Sequence, residues 1–380
     1  MIRVAFDGLL FSDRKIGIVN YIHYMILEFI REDNPNFEID VFINAKYSGQ
    51  FENKAINVKF IPIKIKSYVH RFFKQYTLGL VLKNKYNLLL SPDYPRTFYL
   101  HHRIKSIVVI PDASIRNKRS DFLFFRYLIK RVGYKWAIHK ADAILTYSQS
   151  VVEDLLKYYP VLCSKRVVPL WLGKSPQFEI KDLQNEIILE KVRITYNLPK
   201  SYFIFVGTVM PRKNLLGVIK AFDKIYYKIP HDLVVVGSKG WKYGDLFDYL
   251  NSSMIKKRTH FLGYVPDIDL PALYKQAQFL VFPSFDEGFG IPIIEAFATE
   301  CPVITSNLSS MKEIAEGYAL LVNPYDIDEL SIAMLHMSVD KKLQKKYKCL
   351  SKEAALRFSW KETVRNTFNL IEDICSNPTE

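Results

Sequence analysis

Along the 380-residue chain, short β-branched apolar runs alternate with longer stretches whose apolar positions recur every three or four residues. The runs predict strands at 2–6, 38–43, 58–62, 86–90, 106–110 and 143–146. The helical period predicts helices at 17–32, 66–83, 120–139 and 149–158. Charged residues dominate 174–200, and the alternation restarts at "YFIFVG" (202–207). Further strands are predicted at 233–236, 260–262, 279–282, 302–305 and 319–322, with helices at 214–228, 268–276, 291–299 and 326–348. An amphipathic segment, "FSWKETVRNTFNLIEDI", closes the chain. Strands alternating with helices imply parallel sheets, and the length exceeds one ordinary core. The expectation is an α/β protein of two doubly wound domains: residues 1–175, a linker at 176–200, residues 201–358, and a closing helix at 359–380.

Open parallel sheets bind ligands beyond the carboxyl ends of their strands. Four turns in such positions carry glycine with charged residues: "DGLLFSDRKIGIVNY", "VGTVMPRKN", "VGSKGW" and "FPSFDEGFG". Arg212 and Lys213 stand where a helix opens, at the end that disfavours cations unless an anion is bound. Two cations beside free helix amides suit a diphosphate. In "FDEGFGIPIIEAF", Gly288 and Gly290 let backbone amides approach a ligand, and Pro292 marks the first helical turn. Glu287 is then a loop carboxylate, and Glu295 lies about one turn inside the helix. A ligand bearing both hydroxyls and a diphosphate fits that set.

Composition narrows the class. A hydrophobic share of 49% with 24% charged residues belongs to a globular protein. No apolar run reaches the roughly 18–20 residues of a membrane span, and "MIRVAFDGLLF" lacks a signal-peptide pattern. Four scattered cysteines predict reduced thiols in a cytoplasmic protein. Neither G-x-x-x-x-G-K-[ST] nor G-x-G-x-x-G occurs at the relevant turns, so a P-loop NTPase and a redox cofactor are not expected. The formal charge is +14. Residues 61–140 hold 17 Lys and Arg against 3 Asp and Glu, which is the whole excess. A localised basic zone implies a polyanionic partner.

The second half resembles the nucleotide-sugar-binding domain of retaining glycosyltransferases of the GT-B fold, in particular family 4. The family's E-x7-E element corresponds to Glu287 and Glu295 in "EGFGIPIIEAFATECPVITSN". "FVGTVMPRKNLLGVIKAF", "LVVVGSKGW" and "FLGYVPDIDLPALYKQAQFLVFPS" accompany it. The likeness is dense over 202–368 and looser before, where "GIVNY", "IPDAS", "TYSQS" and "VVPLWLG" resemble family signposts. It implies two Rossmann-like domains facing across a cleft, with the last helix crossing back to the first.

The resemblance also implies roles. Arg212 and Lys213 would bind the donor diphosphate. Glu287 would hydrogen-bond the transferred sugar, helped by the amides of Gly288, Phe289 and Gly290. Glu295 would hold the ribose. Gly17 would leave room for the phosphates from the first domain's side, Gly207 would be among the donor-binding residues, and Lys239 and Val265 would lie near the nucleoside. Charge builds on the departing phosphate as the glycosidic bond opens, so fixed cations meet the main need. No metal and no cofactor are expected. Where the family commonly has His followed by an acid, this chain has Pro111 and Asp112. Asp112 in a supporting role is favoured, with His101 or His102 as a substitute.

Residues 64–80 place Ile65, Val69, Phe72, Phe73 and Tyr76 on one face among cations, and 116–136 again interleaves aromatics with Lys and Arg. Such stretches suit an anionic membrane surface; no nucleic-acid motif is present. The expectation is a peripheral, cytoplasmic-face hexosyltransferase taking GDP-mannose first among donors and a lipid-linked glycan as acceptor. A degenerate nucleotide-sugar-binding or scaffold subunit and a sugar-nucleotide epimerase are the alternatives.

Overall fold

The computed structural model describes residues 1–13, 17–82, 85–93, 99–112, 132–135, 137–179, 185–240 and 244–376. The chain divides into two compact units, Met1–Gly173 with Ser359–Glu380, and Lys174–Phe358.

The first unit holds β1 (Ile2–Asp7), β2 (Phe37–Asn44), β3 (Val58–Ile63), β4 (Leu88–Ser91), β5 (Lys105–Val109), β6 (Ala143–Thr146) and β7 (Arg166–Pro169). They form a parallel sheet in the order β3-β2-β1-β4-β5-β6-β7. Strand β7 was not predicted as one: it is a sheet edge, and its residues are exposed or half-buried, so the apolar signal is short. Helix Trp360–Ser376 packs on helix Gly17–Glu32, with Trp360 5.2 Å from Tyr24 between ring centroids. Phe368 stacks on Phe37 at 4.4 Å.

The second unit holds β8 (Tyr202–Val206), β9 (Asp232–Val236), β10 (Thr259–Gly263), β11 (Leu280–Phe282), β12 (Val303–Ser306) and β13 (Leu320–Val322). Its parallel order is β10-β9-β8-β11-β12-β13. Every residue of β8 and β11 is buried, as expected of strands covered on both faces. Both units are thus doubly wound α/β layers.

Two predicted elements differ. The single helix expected at 326–348 is two, Ile327–Val339 and Lys341–Ala354. Asp340 leaves the helical conformation, and its carboxylate accepts from the amides of Lys342 and Leu343, capping the second helix. The stretch 176–200, read as a linker, contains helix Glu186–Thr195, capped by Asn185. That helix exposes Ile187 and Ile194 and buries only Val192, so its amphipathic signal is faint.

Candidate functional site

In the second sheet the strand order reverses between β8 and β11, which are hydrogen-bonded neighbours. The loops leaving these two strands therefore start side by side, the position where doubly wound sheets bind ligands. The β8 loop brings Gly207, Arg212 and Lys213, and the β11 loop brings Glu287.

Arg212 and Lys213 lie in a 3-10 turn, Pro211–Lys213, just before helix Leu215–Ile225. Both point at Glu287. Arg212 Nη1 is 3.0 Å from Glu287 Oε2, and Lys213 Nζ is 2.6 Å from Oε1. The Glu287 side chain is 8% exposed and that of Lys213 13%. Burial pushes the Glu287 carboxyl up, but Lys213 and Arg212 outweigh it and hold the group below its usual range. Lys213 Nζ also sits 4.8 Å from the centre of the Phe282 ring. Within this triad two cations meet one carboxylate, an excess of one positive charge.

The backbone around Glu287 is fixed from several sides. Arg212 Nη1 donates to the Asp286 carbonyl at 2.6 Å, and the Phe285 amide donates to the Arg212 carbonyl at 2.9 Å. The Ser309 and Ser310 hydroxyls donate to the Glu287 carbonyl at 3.0 and 2.8 Å. Phe289 turns its side chain inward against Phe358. Gly290 then starts helix Ile291–Ala298 with φ +109, a conformation that favours glycine, and no side chain caps the helix amides there.

Glu295, on that helix, keeps different company. Its Oε2 accepts from the Tyr274 hydroxyl at 3.0 Å. Burial raises the carboxyl to about 8; the tyrosine hydrogen bond lowers it only in part, and the charge of Asp267 raises it further. Asp267 lies two residues after Val265, which is buried beyond β10. The two glutamates of one short motif thus face separate partner sets, Glu287 toward the β8 loop and Glu295 toward the segment after β10. Lys239 follows β9, bridges to Val209 and lies 4.9 Å from the Phe247 ring. The chain reaches Lys239 through Gly237, where a Cβ would come 2.1 Å from the Gly207 carbonyl. Five of the second unit's predicted groups (Gly207, Arg212, Lys213, Glu287 and the start of helix Ile291–Ala298) meet at the switch point. Lys239, Val265 and Glu295 stand on its β9–β10 side.

Gly17 and Asp112 belong to the first unit. Gly17 opens its helix, and a Cβ there would meet nothing within 4 Å. The Asp112 carbonyl accepts from the Tyr134 hydroxyl. Burial raises the Tyr147 hydroxyl well above its usual range, and the charges of Asp93 and Asp112 raise it further. His101 and His102 stand before β5, whereas Asp112 follows it. A five-residue strand spans roughly 16 Å, so these histidines occupy the opposite edge of the sheet and do not substitute for the family's His.

Sequence reasoning missed Ser309, Ser310 and Tyr274. "SNLSS" resembles an ordinary turn, and Tyr274 is masked in an apolar helical pattern; only the sheet order brings them to the glutamates.

Helix Tyr68–Leu82 buries Leu78 and Leu82 against Ala5, Phe42, Leu89 and Ile104. Val69 and Phe73, 75% and 61% exposed, lie on the solvent side with Leu80 and Val81. Phe72 and Tyr76 are half-buried and pack on each other at 4.3 Å. Of the second basic-aromatic stretch, 116–136, all but 132–135 lies outside the described residues. No helix among the described residues is long and apolar enough to cross a membrane.

Residues 189–354 match the family "Glycosyl transferases group 1". The chain is similar to O-antigen chain mannosyltransferase B of Escherichia coli, 27% identical over 275 residues, covering 72% of this chain and 71% of that protein. It is 31% identical over 217 residues to O-antigen chain mannosyltransferase RfbU of Salmonella typhimurium, covering 57% of this chain and 54% of the relative. Among solved structures, the lipopolysaccharide glycosyltransferase WaaG superposes with a TM-score of 0.69 over 97% of this chain and 99% of that one, at 14% identity. At that identity the likeness establishes the GT-B fold alone.

Proposed function

We propose that the protein is a retaining hexosyltransferase that moves a sugar from a nucleotide diphosphate donor, GDP-mannose first, to a lipid-linked glycan of a cell-surface polysaccharide. One observation carries this reading: Arg212 and Lys213 converge on a single buried carboxylate at the switch point, beside a helix start that no side chain caps. The excess positive charge of that triad favours one more anion, and a diphosphate supplies it.

In this reading the bond from the anomeric carbon to the donor phosphate breaks with its electron pair on the phosphate oxygen, while the acceptor hydroxyl oxygen bonds the same carbon and gives its proton to the departing phosphate. Arg212 and Lys213 stabilise that developing charge, and neither a metal nor a cofactor takes part. Glu287 orients both cations. A carboxylate has about four acceptor positions, so it retains capacity for hydroxyls of the sugar. Glu295 accepts from or donates to the ribose hydroxyls, and Lys239 and Val265 flank the nucleoside. Asp112 supports the acceptor side. The names of the mannosyltransferase relatives favour mannose.

The basic helix Tyr68–Leu82 docks on an anionic membrane at the cytoplasmic face: exposed Val69 and Phe73 enter the interface beside Lys64, Lys66 and Lys74. The observation favouring a second reading, a binding or scaffold subunit without turnover, is Pro111 where the family commonly carries His.

Slow release of nucleoside diphosphate from the correct donor tests the reading. It should be measurable in the wild type and fall at least about 100-fold in Glu287→Ala, a loss on the order of 3 kcal/mol. Tight donor binding with no release on any acceptor would favour the scaffold.

A further inference from the structure

The turn carrying Arg212 and Lys213 ends on Asn214, which is 6% exposed and left-handed at φ +56. Its side-chain amide is spent entirely on other loops: Nδ2 donates to the Pro283 carbonyl at 3.1 Å and to the Pro324 carbonyl at 2.8 Å. Pro283 follows β11 and begins the segment that carries Glu287, while Pro324 lies between β13 and helix Ile327–Val339. One buried amide therefore joins the cation-bearing loop to the carboxylate-bearing loop and to a third loop behind both. Gly217 completes the arrangement, because a Cβ there would come 2.4 Å from Asn214 Oδ1.

We infer that Asn214 is a positioning residue for the donor diphosphate, fixing the Arg212–Lys213 turn against the Glu287 loop through its two carbonyl contacts. The inference rests on the donor-site reading above. Asparagine meets three demands at once. It adopts the left-handed region readily, it has two N–H groups for two carbonyls, and it is short enough to stay beneath the turn. Aspartate keeps the shape but has no N–H to donate, so its carboxylate would face two carbonyl oxygens. Asn214 contacts the loops, so its loss acts by releasing the Arg212–Lys213 turn from the Glu287 loop.

The test compares GDP and UDP with GMP and UMP as ligands, by calorimetric titration of the wild type, Asn214→Ala, Asn214→Asp and Gly217→Ala, each checked for a cooperative melt. A diphosphate spans the Arg212–Lys213 turn, whereas a monophosphate reaches it less fully. The expected result is a preference for diphosphate over monophosphate that falls about tenfold or more in Asn214→Ala and Asn214→Asp. Gly217→Ala, which crowds the same side chain without removing it, should show a smaller loss. Equal weakening of both ligand classes, or none, would mark Asn214 as merely structural and overturn the inference. If the wild type itself binds none of the four nucleotides, the donor-site reading falls and the inference with it.

Discussion

The two sheets share the core order 3-2-1-4-5-6, yet the described residues at the carboxyl ends of their strands differ in charge. In the second unit, the edge gathers Arg212 and Lys213 around Glu287. In the first, the described residues there include Asp7, Asp93 and Asp112, and the charges of the last two help raise the buried Tyr147 hydroxyl. Asp7 accepts from the Leu9 amide at 3.0 Å and so shapes its own loop. A common topology fixes where a ligand can sit; the loop residues decide its charge.

The contrast breaks most sharply at Lys213. Lys213→Met removes one of the two cations that compensate a buried carboxylate, which is expected to destabilise the second unit by about 3 kcal/mol in a denaturant titration. The pH dependence shows the cause. In the wild type the depressed Glu287 pKa contributes stability above the usual 4.5, and that part is lost as pH falls through the folded value. In Lys213→Met the contribution shrinks and the acid limb flattens. An unchanged acid limb would show that the pair does not stabilise the site.

Glu295 sharpens the comparison within the same motif, since its shift has the opposite sign. A carboxyl raised to about 8 stabilises the fold fully below its usual 4.5, and this contribution is lost as pH climbs through 8. The side chain is only partly buried, so a loss of about 1–2 kcal/mol between pH 5 and 9 is expected. Glu295→Gln should remove that slope while leaving the Glu287 acid limb intact. A slope that survives the substitution would contradict the assignment.

The smallest effect concerns the basic face of the first unit. Phe73→Asp adds a charge to an exposed position and should weaken co-sedimentation with vesicles containing anionic phosphatidylglycerol by several-fold, without affecting vesicles of neutral lipid. Equal binding to both vesicle types would speak against the membrane reading.

Much of this architecture was legible in the chain. Strands buried on both faces, such as β8 and β11, produce uninterrupted apolar runs that periodicity detects. The signal fails where burial is partial, as at the edge strand β7, or where a polar cap is embedded in a longer apolar pattern, as at Asp340. At the site, "PRKN" and "DEGFG" show two cations and a carboxylate at strand ends, but not that Glu287 already holds both cations. That pairing follows from β8 and β11 being neighbours, a fact of sheet order that no local window contains. The same applies to His101 and His102. They stand close to Asp112 in sequence, and only the direction of β5 puts them at the opposite edge.

The central claim is that the donor diphosphate binds where Arg212 and Lys213 meet Glu287. Its most direct test is titration calorimetry of GDP-mannose, with UDP-, dTDP- and ADP-sugars beside it, into the wild type and the Arg212→Ala/Lys213→Ala double variant. The prediction is one donor bound per wild-type chain and a dissociation constant at least about 100-fold higher in the variant, a loss near 2.7 kcal/mol. Unchanged affinity in a folded double variant, or no binding of any of these donors by the wild type, would contradict it.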